Sequence, residues 1–238
     1  MVLVLRPRSV WEGADLGVRL VQSRLSSVFP PYLCTALPLF LLCCTTAGIA
    51  PWLPALLIWM SKPWLDRTIL FALSRALFDE STTFTDVSAA RRDVWWSQLA
   101  TTLTLRRLSA ARAFTQPIGQ LEGLVGAERA ARVRQLALPY RGAARMMTLV
   151  FAVADLALFA SALSLQVWLA PHNGSFDWLA FLRNPTGHQV LMTTAFYAAA
   201  VCFVEPFYVA AGFGMYLNRR VALEAWDIEQ EFRRAFAV

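Results

Sequence analysis

Charge is what this sequence has least of. Only 16% of its 238 residues are Asp, Glu, Lys or Arg, against 57% hydrophobic residues and a mean hydropathy of +0.47, a balance that excludes an ordinary soluble domain. The shortage is concentrated in runs. From Phe29 to Ser61 the only ionisable side chains are Tyr32, Cys34, Cys43 and Cys44, Met146–Pro171 carries a single charge, Asp155, and Gln189–Asn218 a single charge, Glu205. Each run exceeds the roughly 20 helical residues that cross about 30 Å of hydrocarbon. The expected fold class is therefore all-α: a polytopic helical membrane protein with about four transmembrane helices and interfacial amphipathic helices.

Histidine, cysteine and glycine motifs are equally thin. The two histidines, His172 and His188, form no HExxH and no Cys/His ligand spacing, so no metal or other cofactor is expected. No arrangement pairs a nucleophile with its base, and Gly212-Phe213-Gly214 lacks the third glycine of a dinucleotide loop, so catalysis is not expected. Cys34, Cys43, Cys44 and Cys202 all lie in apolar runs and read as small buried hydrophobes without disulfides. The first long apolar run follows an Arg-bearing stretch too long for the n-region of a cleavable signal, so the first span is expected to remain attached.

What charge there is has a pattern. The net charge is +6, and ten arginines lie between Arg91 and Arg145, whereas Arg183 alone lies between Pro171 and Gly187. Positive charge kept on one side of a bilayer explains this asymmetry, and no aromatic-basic module points to nucleic acid. Residues 1–28 form a cytoplasmic amphipathic arm, with a Ser9/Glu12 capping box and Trp11, Leu16, Leu20 and Val21 on one face. Residues 29–76 form a transmembrane hairpin, broken near Gly48–Pro51, with spans at about Tyr32–Ile49 and Trp52–Phe71.

Residues 77–145 are cytoplasmic or interfacial. Val87, Val94, Trp95, Leu99 and Leu103 predict a helix along the membrane face, Pro117 and Gly119 a break, and Leu121–Leu138 a second helix. Residues 146–217 form a helix pair, Met146–Leu169 and Gln189–Leu217, around an outer loop 171–187 with turn residues Pro171–Gly174, interfacial Trp178 and a weak glycosylation pattern at Asn173. Pro206 is expected to bend the last span, and Ala210, Ala211, Gly212 and Gly214 permit close helix approach. Residues 218–238 form a cytoplasmic amphipathic tail with a stripe of Val221, Ala225, Ile228, Phe232 and Phe236.

The candidate site is an intramembrane polar cluster of Lys62, Asp66, Arg67, Asp155 and Glu205. Counting along the helices places Lys62 roughly 16 Å from the outer surface and Glu205 roughly 21 Å from the cytoplasmic boundary, while Asp155 also lies near mid-depth. The bland alternative for Lys62 is a re-entrant hairpin that lets it snorkel to the cytoplasmic headgroups. An isolated charge at mid-depth costs about 2.5 to 3.5 kcal/mol on insertion scales, so Lys62 is expected to pair with one or both of Asp155 and Glu205 across helices. Such a cluster can be a site for a proton, an ion or a lipid headgroup, or an ion pair that only fixes helices; the latter is preferred.

Several segments have a familiar look: Leu5-Arg6-Pro7-Arg8-Ser9 with Trp11-Glu12, Lys62-Pro63, Asp66-Arg67, Leu73–Phe78, Arg106–Ser109 with Ala111-Arg112, and Leu121–Gly123. To these are added Glu205–Val209, Tyr216–Arg220 and Glu224–Glu229. With them the chain resembles an uncharacterised family of proteobacterial inner-membrane proteins, whose longer members continue into a domain of the kind found beside transglutaminase-like proteins. The Thr148–Gln189 region is shorter than the resemblance leads one to expect. The resemblance implies a location and transfers no reaction. The function expected is a non-enzymatic scaffold or accessory subunit of a cell-envelope system; the alternative is a small transporter or lipid-handling protein. The expected partners are the lipid bilayer and another membrane or envelope protein met through the cytoplasmic surface.

With the native cysteines replaced by alanine, Ser175→Cys is expected to react with an impermeant thiol reagent in intact cells and Ala130→Cys only after lysis. The opposite labelling would reverse the orientation.

Overall fold

The structure, a computed structural model, describes residues 8–97, 99–104, 109–168, 183 and 185–224. No strand occurs among them. In chain order come α1 (Val10–Ser23), α2 (Leu25–Cys44), a 3-10 turn (Thr45–Gly48), α3 (Leu53–Ala76), α4 (Phe84–Ala89) and a π-helical turn (Arg92–Trp96). After these come α5 (Leu99–Leu103), α6 (Arg112–Gln120), α7 (Gly126–Ala137), α8 (Arg141–Trp168) and α9 (Gly187–Glu224). Among the described residues three stretches are long and apolar enough to cross a membrane: Leu25–Gly48, Arg141–Leu165 and Gly187–Leu223. α3, at 24 residues and about 36 Å, has the length for the fourth expected span. Lys62, Asp66, Arg67 and Arg75 deny it the composition.

α9 is the axis of the molecule and touches α1, α2, α3, α6, α7 and α8. Its 38 residues span about 57 Å, far more than a hydrocarbon core. The two halves have different surroundings. Beyond Val204 it is almost wholly enclosed by protein, whereas before it Leu191, Met192 and Phe203 are exposed. α8 runs antiparallel beside it, with Phe159 against Tyr197 and Phe151 against Tyr208. Much of the surface of α8 is exposed and apolar, including Leu149, Val153 and Leu156, which suits a helix whose solvent is lipid.

α1 begins at the expected capping box: the Glu12 carboxylate accepts from the Ser9 amide at 3.2 Å, and Ser9 Oγ accepts from the Glu12 amide at 3.3 Å. Its buried face is the expected one only in part. Leu20 and Val21 are buried as expected, but Trp11 is exposed and Leu16 half-buried, and Gly13, Ala14 and Gly17 complete the face instead. The cause is α9, against which α1 lies antiparallel, Gly13 on Gly214 and Asn218, Gly17 on Ala210. Only small residues let two helix backbones come that close. Asn218 closes the end of this seam, its Oδ1 accepting from the Arg8 amide at 3.0 Å and its Nδ2 donating to the Arg8 carbonyl at 2.9 Å.

α2 continues through Pro30, Pro31 and Pro38 and packs on α9 through Phe29 and Phe207. The chain turns at residues 45–52, where the Gly48–Pro51 break was expected, and α3 returns along α2. The expected helix over Val87–Leu103 is broken into α4, the π-turn and α5. Thr83 caps α4, its amide and hydroxyl holding the Asp86 carboxyl below its ordinary pKa, while Val87 and Val94 are buried.

Pro117 and Gly119 do not break the chain but lie within α6. Burial of Phe114 and Ile118, and contact of the Ala113 backbone with Gly212, override the local propensity. α7 starts only at Gly126: Gly123 takes φ of +68° in the preceding turn and Gly126 itself φ of +55° at the helix start, backbone conformations that glycine adopts readily. α9 passes through Pro206 without interruption. All four cysteines are free. Of the burial expected for all four, Cys43 alone shows it: Cys44 and Cys202 are half-buried and Cys34 is exposed on α2, where a small side chain is tolerated. Pro171–Gly174, Asn173, Trp178 and the tail stripe from Ala225 onward lie outside the described residues.

A Cβ on Gly17 would collide with the Ala210 carbonyl, and one on Gly142 meets nothing within 4 Å. Gly17→Leu is therefore expected to lower the thermal midpoint in detergent by several degrees, equivalent to about 1–3 kcal/mol of overpacking, while Gly142→Ala leaves it unchanged or slightly raised. Equal midpoints for both would show that the α1–α9 seam carries no stability.

Candidate functional site

Four helices bring their charged side chains to one place. Lys62 stands on α3 with Asp66 one turn on, Asp155 on α8, Glu205 on α9, and Arg112 at the start of α6. Lys62 Nζ donates to Asp155 Oδ2 at 3.0 Å and lies 2.7 Å from Glu205 Oε2. Arg112 Nη2 donates to Glu205 Oε1 at 2.8 Å, and its Nε lies 2.8 Å from Asp66 Oδ2. Glu205 is thus shared between two cations, and each cation is shared between two acids. The side chains are 13% exposed at Lys62 and Asp155, 15% at Arg112, 2% at Glu205 and fully buried at Asp66.

Burial of this depth decides the energetics. An isolated ion there carries several kcal/mol of desolvation penalty, which close opposite charges and hydrogen bonds offset. The pairing therefore holds in place whatever elements carry it. α8 depends on it most: its packing is chiefly on α9, and the Lys62–Asp155 bond spans the space between it and α3.

Lys62 meets both carboxylates that the sequence offered as its partners. It is also the single lysine among 22 basic residues. Asp66 joins the cluster through Arg112. Arg67 does not belong to it: one step round α3 from Asp66, it turns the other way, donating from Nη2 to the Asp93 carbonyl at 2.6 Å, from Nε to the Val94 carbonyl and from Nη1 to Thr102 Oγ1 at 3.4 Å. Its own carbonyl accepts from Gln120 Nε2 at 2.7 Å. Arg67 therefore anchors the π-turn and α5 on α3.

Arg112 is the member that sequence reading missed. It falls in the Arg-rich stretch assigned to the cytoplasm, and nothing in Ala110-Ala111-Arg112-Ala113-Phe114 places it beside Glu205. The available signal was charge balance: the three acids Asp66, Asp155 and Glu205 outnumber Lys62 and Arg67 and call for a third cation. Its guanidinium also lies over the Tyr208 ring, 5.4 Å from the centroid, a favourable cation–π contact.

A cavity of about 200 Å³ adjoins the cluster between α3 and α8, lined by Trp59, Lys62, Arg112, Thr148, Glu205 and Tyr208 among others. Thr148 Oγ1 lies 3.3 Å from the Tyr208 hydroxyl and donates to the carbonyl of Ala110 or Ala144. On the opposite side of α3 a groove of about 530 Å³ is almost wholly apolar, with Leu39, Leu42, Leu57, Met60 and Trp64 in its walls. Among the described residues no group of three or more His, Cys, Asp or Glu side chains is placed to hold a metal. The chain matches no protein-family model, and no curated protein or solved structure is detectably similar to it.

Lys62→Met leaves Asp155 and Glu205 short of a cation and is expected to cost about 3–5 kcal/mol, seen as a large drop in detergent stability. Adding Asp155→Asn should recover part of that loss. A Lys62→Met protein as stable as the parent would show that the pairs hold nothing together.

Proposed function

We propose that the chain is a multi-pass protein of the bacterial inner membrane, with both termini cytoplasmic, that acts as a non-enzymatic scaffold or accessory subunit of a cell-envelope system. The observation that carries this reading is the commitment of the buried ions. Lys62, Asp66, Arg112, Asp155 and Glu205 are each engaged between helices, whereas a transport cycle needs an ionic group that changes partners. The likeness of Glu205–Val209, Tyr216–Arg220 and their companion segments to the inner-membrane family supports the location. The arginines of residues 91–145 support the orientation.

The end of the molecule expected in the cytoplasm supplies a surface for a partner. Phe78, Leu121, Val125 and Leu138, all in segments assigned to that end, are exposed and are the side chains proposed to meet it. The second reading, a small transporter or lipid-handling protein, draws on the cavity beside Lys62.

Purification in mild detergent is expected to return another envelope protein at a fixed ratio, lost when Phe78→Glu and Leu138→Glu are combined at unchanged stability. Under this reading Glu205→Gln and Asp155→Asn reduce yield and stability. A chain that purifies alone and conducts protons or ions in liposomes, with flux abolished by Glu205→Gln at normal yield, overturns it.

A further inference from the structure

The cavity between α3 and α8 has a chemistry that the ion pairs do not exhaust. We propose that it binds the phosphate group of an anionic phospholipid from the arginine-rich leaflet. The buried charges Lys62, Asp66, Arg67, Arg112, Asp155 and Glu205 sum to zero in their ionised forms. Those that reach the cavity wall do not: Lys62 and Arg112 face it with Glu205 alone, while Asp66 and Asp155 stand behind the two cations and Arg67 is turned to α5. The wall therefore presents more positive than negative charge.

Donors remain for a ligand. Lys62 has three N–H groups and meets two carboxylates. Arg112 uses Nε and Nη2 in its ion pairs, leaving Nη1. Hydrogen bonds to a phosphate oxygen from an ammonium and a guanidinium are the strong, charge-assisted kind.

Position favours a lipid over a soluble anion. On α8, Thr148 and Ala152 in the cavity wall stand one to two turns from Arg145, about 5–10 Å along the axis, so the cavity lies closer to the headgroup layer than the mid-depth expected for Lys62 and Glu205 from counting along the apolar runs. Enclosure of α9 by protein beyond Val204 brings the arginine-rich boundary toward Glu205. Trp59 and Ala152 are exposed at the mouth, and the apolar face of α8 with Leu149, Val153 and Leu156 continues from it as a track for acyl chains. The volume of about 200 Å³ accommodates a phosphodiester and part of its glycerol, with the chains left outside in the bilayer.

The test is binding to the full chain in a neutral detergent, read by native mass spectrometry and by thermal midpoint. The probes are phosphatidylglycerol, phosphatidylcholine of the same chains, and inorganic phosphate. Phosphatidylglycerol is expected to bind at one per chain and raise the midpoint, with the other two at least tenfold weaker. Ala152→Phe fills the mouth without touching an ion pair, and is expected to weaken phosphatidylglycerol about tenfold with the lipid-free midpoint unchanged. Arg112→Lys, which keeps the charge and loses the fork, is expected to weaken binding as well. Equal binding of phosphatidylcholine, an equal midpoint shift with inorganic phosphate, or undiminished phosphatidylglycerol binding in Ala152→Phe overturns the proposal.

Discussion

The carboxylate of Glu205 lies between an ammonium and a guanidinium, 2.7 Å from one and 2.8 Å from the other. Because it is almost wholly buried, neither cation can be withdrawn without leaving charge in a medium that solvates it poorly. Lys62 and Arg112 belong to α3 and α6, and through their second acids they reach α8 and a further turn of α3. One side chain on the central helix thus links elements that apolar contact alone joins weakly. The loose fit of α8 against α3 leaves a cavity beside the cluster.

A different force works in the rest of α9. From Ala210 to Asn218 it meets α1 and α6 through Gly212, Gly214 and their small neighbours, so that backbones touch. Phe213, Met215 and Tyr216 fill the remaining space and are fully buried, each burial contributing about 1.5–3 kcal/mol. The result is a helix with a protein-enclosed half and a half that leaves apolar side chains exposed, divided close to Glu205. That division explains how a 38-residue helix coexists with a bilayer half its length: the enclosed half has α1, α6 and α7 for its surroundings.

What could be seen in the residues was whatever depends on local pattern. The apolar runs around Phe40, Phe151 and Phe196 were legible as membrane helices, the Ser9/Glu12 pair as a helix start, and Gly48–Pro51 as the hairpin turn. Lys62, Asp155 and Glu205 were legible as companions because opposite charges in apolar runs have few other ways to be tolerated. The face of α1 was legible only in Leu20 and Val21, since Trp11 and Leu16 look as suitable for burial as Gly13 and Gly17 until a second backbone is brought against the helix. The helix through Pro117 was not, because its stability comes from burial of Phe114 and Ile118.

By itself the sequence determined an all-helical chain in an apolar solvent and a small set of charges that must find one another there, because transfer of apolar surface and of ions is a property of each segment alone. Only the tertiary structure decided which cations answered which acids. It drew Arg112 out of an arginine-rich stretch to Asp66 and Glu205, and turned Arg67 away to the carbonyls of Asp93 and Val94. Such choices depend on a few ångströms between helices distant in the chain, a separation that composition and periodicity do not encode.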